Sequence, residues 1–130
     1  MLLPDTSIWI TYLRRGGDRV SAELGAALDR DQVLACGPVV AELVAGARPE
    51  DRQALLDAMG GLPWADLGRE SWGRVGLLAA ELRGRGEALP LTDLEIAVAA
   101  HMAGATLWTS DRDFERLVPL LDGLELQLAA

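Results

Sequence analysis

Residues 89–114, LPLTDLEIAVAAHMAGATLWTSDRDF, contain the pattern that decides the fold. They predict an apolar helix entered near Asp93, a turn at Gly104, a short strand over 106–109 and then Asp111. One carboxylate therefore lies at a helix N-terminus and another just beyond the end of a strand. Ligands and catalytic groups of parallel α/β sheets collect at the carboxyl ends of the strands. Acids at the ends of the earlier strands would therefore lie at the same edge of the sheet.

Strands and helices alternate along the rest of the chain. Short apolar runs bounded by turn residues predict further strands over 1–4, 32–36, 62–67 and 124–128. Apolar residues at helical spacing, with Gly and Pro at the boundaries, predict helices over 8–14, 18–29, 37–48, 50–59, 71–85 and 114–118. This order predicts a parallel α/β sandwich, and 130 residues fit a single domain, 1–130.

Composition limits the function. The formal net charge is −8, and every basic residue is Arg. An acidic chain is a poor general nucleic-acid binder, so binding to nucleic acid would need a local Arg patch or a metal ion. Cys36 and His101 are the only Cys and His, which excludes an internal disulfide and a Cys/His zinc site within one chain. With no apparent signal peptide and no membrane-spanning apolar run, we expect a cytoplasmic protein that does not bind membranes.

Four acids are the candidate functional groups: Asp5, Glu42, Asp93 and Asp111. Each has a structural explanation in isolation, because Asp5 can cap a helix and Asp93 and Asp111 suit a helix N-terminus. Glu42 lies among apolar helix residues, which predicts a buried glutamate that is costly without a partner. As a group at one sheet edge they would repel, by about 4 kcal/mol per pair at ~4 Å and an effective dielectric near 20. Such a cluster predicts a hard divalent cation, Mg²⁺ or Mn²⁺, able to activate water at a phosphodiester.

Neighbouring polar residues are candidates for supporting roles. The spacing of Thr92 to Glu95, and of Ser110 to Asp113, is that of a capping box, so both later acids are predicted cap partners. Asp113 is also a candidate to support the metal ligands, and the hydroxyls of Thr6 and Ser110 to orient a carboxylate or a water. Turn or N-cap chemistry explains Thr6 and Ser110 equally well. The arginines that flank the acids are candidate phosphate contacts: Arg14, Arg15, Arg48, Arg112 and Arg116.

Other motifs are excluded or structural. A P-loop and a receiver-type phosphoacceptor site both need a Lys, and no G-x-S-x-G elbow occurs. Residues 84–86, Gly-Arg-Gly, lack the third glycine of a dinucleotide loop. All four tryptophans lie in apolar periodic segments, so we expect core packing for Trp9, Trp64, Trp72 and Trp108.

Four motifs, taken in order, resemble those of a PIN domain, and more closely those of the VapC toxins of toxin–antitoxin pairs. They are D-T-S at 5–7, V-A-E-L at 40–43, T-D-L at 92–94 and T-S-D-R-D-F at 109–114. The resemblance covers nearly the whole chain and implies a three-layer α/β/α sandwich with a central, mainly parallel sheet. Two positions depart from the family pattern: Pro4 replaces an aliphatic residue, and Cys36-Gly37 stands where a hydroxyl residue is common.

The resemblance also implies an activity. It is that of a Mg²⁺- or Mn²⁺-dependent endoribonuclease toxin, in which Asp5, Glu42, Asp93 and Asp111 are the catalytic metal ligands. It implies a VapB-type antitoxin that blocks the site, an RNA substrate and a homodimer, with DNA contact made by the antitoxin and not by this chain. Two alternatives stay open: a non-catalytic PIN-like binding module, and a metal-dependent DNA or flap-type nuclease.

Overall fold

The computed structural model describes residues 1–14 and 16–129. Within them the strands are β1 (Leu2–Pro4), β2 (Thr106–Thr109) and β3 (Glu125–Leu128). The α-helices are α1 (Thr6–Leu13), α2 (Arg19–Asp29), α3 (Gly37–Gly46), α4 (Arg52–Gly60), α5 (Arg69–Gly84) and α6 (Leu91–Ala103). Short 3₁₀ helices cover Pro49–Asp51 and Arg112–Leu117. No helix in the described part of the chain is long and apolar enough to cross a membrane.

The sheet is parallel, in the order β1-β2-β3, with Leu3 opposite Leu107 and Leu107 opposite Leu126. The predicted central parallel sheet is therefore confirmed. Pro4 is the last residue of β1, where the loss of a ladder donor is tolerated. Helices flank the sheet: α1 packs on α2 and α3, and α5 packs on α6.

The predicted strands over 32–36 and 62–67 are wrong as full strands. They are reduced to two isolated bridges, in which Val33 pairs with Leu2 and Ala35 pairs with Trp64. Two features stop the ladders from growing. Pro63 has no N–H to donate, and the chain enters α3 at Gly37, directly after the second bridge.

Helix α6 is the most buried helix segment near the sheet. Residues 96–100, Ile-Ala-Val-Ala-Ala, are each at most 2% exposed, and their small side chains let the helix approach its neighbours closely. Gly104 ends the helix with φ 64°, a left-handed conformation that glycine adopts without a Cβ clash. The chain then turns directly into β2. The 89–114 stretch thus folds as its pattern predicts.

The tryptophan prediction is half right. Trp9 and Trp108 are buried, but Trp64 is 40% exposed and Trp72 is 52% exposed. On α5 the buried stripe runs through Ser71, Val75, Leu78 and Leu82, so Trp72 lies one position off the face that packs. Trp64 follows Pro63 on the outermost bridge, where little of the chain covers it.

Candidate active site

Asp5 lies where β1 ends, and it caps α1. Its backbone N–H donates to the Trp108 carbonyl at 2.8 Å, and its carboxylate accepts from the Ile8 N–H at 3.3 Å. The side chain is buried, with 5% of the residue exposed. Burial raises the pKa of Asp5, an effect that its hydrogen bonds oppose.

Two hydroxyls hold the Asp5 carboxylate. Ser7 donates to Oδ1 and Thr109 donates to Oδ2, each at 2.5 Å. The same hydroxyls accept from the turn after β2: Ser7 Oγ from the Ser110 N–H at 3.2 Å, and Thr109 Oγ1 from the Asp111 N–H at 2.9 Å. Two parallel chains of hydrogen bonds therefore tie Asp5 to the turn that carries Asp111.

The sequence prediction missed Ser7 and Thr109 and named their neighbours Thr6 and Ser110 instead. Two signals in the sequence point to the correct residues. A capping carboxylate lies over the first helical turn, which brings Ser7 within its reach. A parallel pairing that aligns the ends of β1 and β2 brings Asp5 beside Thr109. In the structure Ser110 contributes its backbone N–H to this network.

Asp93 lies in the first turn of α6 and is half-buried. Burial raises its pKa to about 6, with further contributions from the negative charges of Asp111, Glu42 and Asp5, in that order, and then of Asp113. All three other members of the predicted quartet therefore act electrostatically on Asp93. The structure brings the four predicted acids to one edge of the sheet.

The prediction that Glu42 is buried is wrong, because Glu42 is exposed. In α3 the buried stripe runs through Val39, Val40 and Leu43, and Glu42 lies on the face beside it. Its Oε1 accepts from the Thr6 hydroxyl at 2.6 Å. Thr6 therefore orients a carboxylate of the quartet. This is one of the two roles that its sequence position predicts, the other being turn or N-cap chemistry.

Asp111 is exposed and caps the 3₁₀ helix Arg112–Leu117, accepting from the Asp113 N–H at 2.9 Å. The predicted cap roles of Asp113 and Glu95 are wrong. The cap is Asp111, one residue later than the predicted Ser110. Asp113 instead pairs with Arg116 at 3.5 Å. Helix α6 begins at Leu91 behind Pro90 and has no side-chain cap, so the Thr92–Glu95 spacing falls inside the helix.

The four acids form a loose set of donors. Within residues 1–14 and 16–129, no three acidic, His or Cys side chains are grouped closely enough to hold a metal ion. The donors nevertheless fit a hard divalent cation, because all are carboxylate oxygens. Glu42 and Asp111 are exposed, so rotation of their side chains toward Asp5 and Asp93 needs no repacking of the core. The ligand roles of the four acids stay a prediction.

A family model described as PIN domain matches residues 2–118. The chain belongs to the PIN domain family. Among its relatives, Ribonuclease VapC18 of Mycobacterium tuberculosis is 30% identical over 121 residues, which cover 89% of this chain and 86% of that protein. Ribonuclease VapC11 of the same organism is 28% identical over 120 residues, covering 88% and 90% of the two chains.

Solved structures share the fold of this PIN domain. VapBC2 from Rickettsia felis, bound to a DNA fragment from its promoter, contains a chain with a TM-score of 0.78 at 24% identity, covering 99% of this chain and 98% of that one. DNA-bound VapBC from Salmonella typhimurium gives a TM-score of 0.78 at 20% identity, covering 97% and 96%. The predicted α/β fold and the resemblance to VapC proteins are confirmed.

The arginines near the acids form local ion pairs. Arg48 lies 3.2 Å from Asp51, and Arg112 lies 3.3 Å from Glu115, on the surface of the PIN domain. Exposed pairs of this kind are worth about 0–1 kcal/mol, so a phosphate can compete for them. Arg14 is exposed, and Arg116 is the partner of Asp113. Arg15 lies outside the described residues. Phosphate contact by these five arginines stays a prediction.

A wide groove of about 1290 Å³ opens beside the acids. It runs between α1, α3 and α4, with Glu42 on its wall and Ile10, Leu13, Leu43 and Leu55 among its apolar residues. Ile10 is 40% exposed and Leu13 is 46% exposed. This groove was not predicted, because its apolar residues come from helices that are far apart in the sequence.

Proposed function

We propose that this PIN domain is a Mg²⁺- or Mn²⁺-dependent endoribonuclease that acts as the toxin of a toxin–antitoxin pair. The observation that carries the proposal is the position of Asp93 beside the other three acids: burial, and then the charges of Asp111, Glu42 and Asp5, raise its pKa to about 6. A surplus of negative charge at one sheet edge is what a divalent cation neutralises. The relatives named as VapC ribonucleases support RNA as the substrate.

In this proposal Asp5, Glu42, Asp93 and Asp111 hold the cation. When bound, it would activate water for attack on the phosphodiester and stabilise charge on the leaving oxygen. The chain's own contribution is placement. Ser7 and Thr109 fix both Asp5 oxygens, and Thr6 orients Glu42. By neutralising negative charge at this edge, the cation would also let the phosphate approach. The net charge of −8 otherwise opposes that approach.

A parallel cleavage assay tests the substrate class. Purified protein with Mg²⁺ or Mn²⁺ is incubated with single-stranded RNA and with single-stranded and branched DNA of matched sequence. We expect cleavage of RNA and none of either DNA. Cleavage of branched DNA would favour the flap-type nuclease, and cleavage of neither would favour the non-catalytic binding module. Sequencing the cleaved RNA ends in cells that express the toxin would then identify its target.

The proposal includes a VapB-type antitoxin and a homodimer. Structures of related folds are VapBC complexes, which supports an antitoxin as the partner. The groove between α1, α3 and α4 fits an amphipathic helix, because its exposed apolar residues adjoin the acidic Glu42. A helix lying there with a basic side chain near its end would cover the apolar residues and neutralise the acids.

A further inference from the structure

A second cavity lies on the other side of α3 from the apolar groove. It has a volume of about 540 Å³ and is lined by Gly37, Pro38, Ala41, Trp64, Asp66, Leu67, Trp72 and Glu95. One of these residues adjoins an acid of the proposed active site: Pro38 lies four positions before Glu42 on α3, which places the two on the same face of the helix. A ligand that reaches the acids can therefore place a neighbouring group in this cavity.

Two exposed tryptophans dominate the cavity. Trp72 is 52% exposed, and Trp64 is 40% exposed. The indole N–H of Trp64 donates to the Met59 carbonyl at 2.9 Å, which fixes the ring and satisfies its polar atom within the protein. The exposed face of Trp64 is therefore held in one orientation and is free to contact a ligand. Rigid aromatic rings of this kind are the platforms on which proteins stack unpaired bases.

The charges of the cavity favour a base over a phosphate. The charged residues among its lining are Asp66 and Glu95, both acids. Carboxylates repel a phosphate, but they accept hydrogen bonds from the amino groups of bases, as Asp and Glu do from cytosine N4. An apolar floor with carboxylate acceptors suits a flat, neutral heterocycle that carries N–H donors.

We infer that this cavity is a base-binding subsite, in which an unpaired base next to the cleaved bond stacks on Trp72 and Trp64. Asp66 or Glu95 accepts a hydrogen bond from the exocyclic amino group of that base. Adenine, cytosine and guanine carry an exocyclic amino group, so the subsite disfavours uracil. This inference rests on the proposed ribonuclease function and adds a source of sequence preference to it.

The test uses the full chain and single-stranded RNA with Mg²⁺. Trp72→Leu removes the aromatic face, Trp72→Phe keeps one, and Leu77→Ala changes a 74% exposed residue elsewhere on α5. Stacking on one aromatic is worth a factor of about 5 to 100 in affinity. We expect Trp72→Leu to raise KM by that factor with a smaller change in kcat, and Trp72→Phe and Leu77→Ala to keep the wild-type KM.

An abasic scan of the RNA gives an independent measure that needs no variant to fold. Removing the base that occupies the subsite should raise the wild-type KM as Trp72→Leu does, and Trp72→Leu should show no further loss on that RNA. Replacing that base with uracil should weaken binding in the wild type. The inference is overturned if no position of the scan behaves in this way while the wild type still cleaves RNA.

Two other results separate the competing explanations. If Trp72→Leu converts a dimer to a monomer in light scattering, and activity falls equally on every RNA, the cavity is a contact between two copies of the chain and the inference is wrong. If the wild type cleaves no RNA at all, the proposed function fails and the subsite fails with it. Normal cleavage with no effect of Trp72→Leu overturns the subsite alone.

Discussion

At the scale of single residues, Ser7 and Thr109 join the Asp5 carboxylate to the turn that carries Asp111. Each hydroxyl donates to one carboxylate oxygen and accepts one backbone N–H, so no part of this network is duplicated. Thr109 is fully buried, and Asp5 is nearly so. Because solvent cannot replace a lost partner there, the hydroxyls act as positioning groups for two of the four acids.

Thr109→Val, which removes the hydroxyl and keeps the shape, should destabilise the protein. It leaves Asp5 Oδ2 without its Thr109 donor and the Asp111 N–H without its acceptor, at a cost of about 1–3 kcal/mol in the free energy of unfolding. Thr106→Val, on the same strand as Thr109, is the matched control, because the Thr106 hydroxyl donates to the exposed Glu125 of β3. Urea unfolding measures both variants, and equal losses for the two would contradict the proposed role of Thr109.

Asp93 should make the metal-free protein more stable in mild acid. Its folded pKa of about 6 lies above the ordinary value of 3.8, so between these pH values the folded state binds a proton that the unfolded state does not. The free energy of unfolding should therefore rise as pH falls from 7 to 5. This gain should be lost again as pH rises through the folded pKa of about 6. Burial of Asp5 shifts its pKa in the same direction and adds to the trend.

Urea midpoints in EDTA at pH 7 and pH 5 measure this dependence. Asp93→Asn should flatten this pH dependence. Asp29→Asn should leave it unchanged, because Asp29 is an exposed residue at the end of α2 and is not one of the acids that raise the pKa of Asp93. An unchanged slope in Asp93→Asn would contradict the raised pKa that burial and the neighbouring acids give Asp93.

At the scale of helices and strands, prediction succeeded where one local pattern decides the structure. Helix α6, the glycine that ends it and β2 all follow from apolar spacing and a single turn residue. The segments around Val33 and Trp64 were predicted as strands because they are apolar and short, but their pairing depends on the neighbouring chain. Pro63 and the start of α3 at Gly37 limit these segments to two isolated bridges.

The error for Glu42 has the same origin. The apolar neighbours of Glu42 predict that it is buried with them, yet the buried stripe of α3 covers one face only. Which face packs is decided by helices far away in the sequence. The same is true of the groove and of the two exposed tryptophans, so the acids could be predicted as a set while the surfaces around them could not.

The groove between α1, α3 and α4 predicts how inhibition can be lost without loss of activity. Ile10→Asp places a charge among its exposed apolar residues and should prevent an antitoxin from binding, while RNA cleavage is kept. Leu77→Asp on α5 is the control, because Leu77 is 74% exposed and lies outside the groove. Co-purification of tagged toxin with the product of an adjoining antitoxin reading frame measures binding. Retained binding by Ile10→Asp would contradict docking in this groove.

At the scale of the whole molecule, an acidic protein is proposed to act on an acidic polymer. With a net charge of −8 and no Lys, the chain cannot rely on a general positive surface to attract RNA. Three of the candidate arginines, Arg48, Arg112 and Arg116, are already engaged in weak pairs with neighbouring carboxylates. The proposed divalent ion at the acidic edge would resolve the conflict, since it would neutralise the carboxylates and attract the phosphate at the point where the bond breaks.

The rate of single-stranded RNA cleavage tests this central claim most directly. It is measured for the wild type with Mg²⁺, for the wild type with Mg²⁺ plus excess EDTA, and for Asp5→Asn with Mg²⁺. Asp29→Asn serves as the control acid. Loss of metal catalysis removes several kcal/mol of transition-state stabilisation, so cleavage should fall about 100-fold or more with EDTA and in Asp5→Asn. Asp29→Asn should cleave at the wild-type rate. Equal cleavage with EDTA, or by folded Asp5→Asn, would contradict the assignment of this edge as a metal-dependent active site.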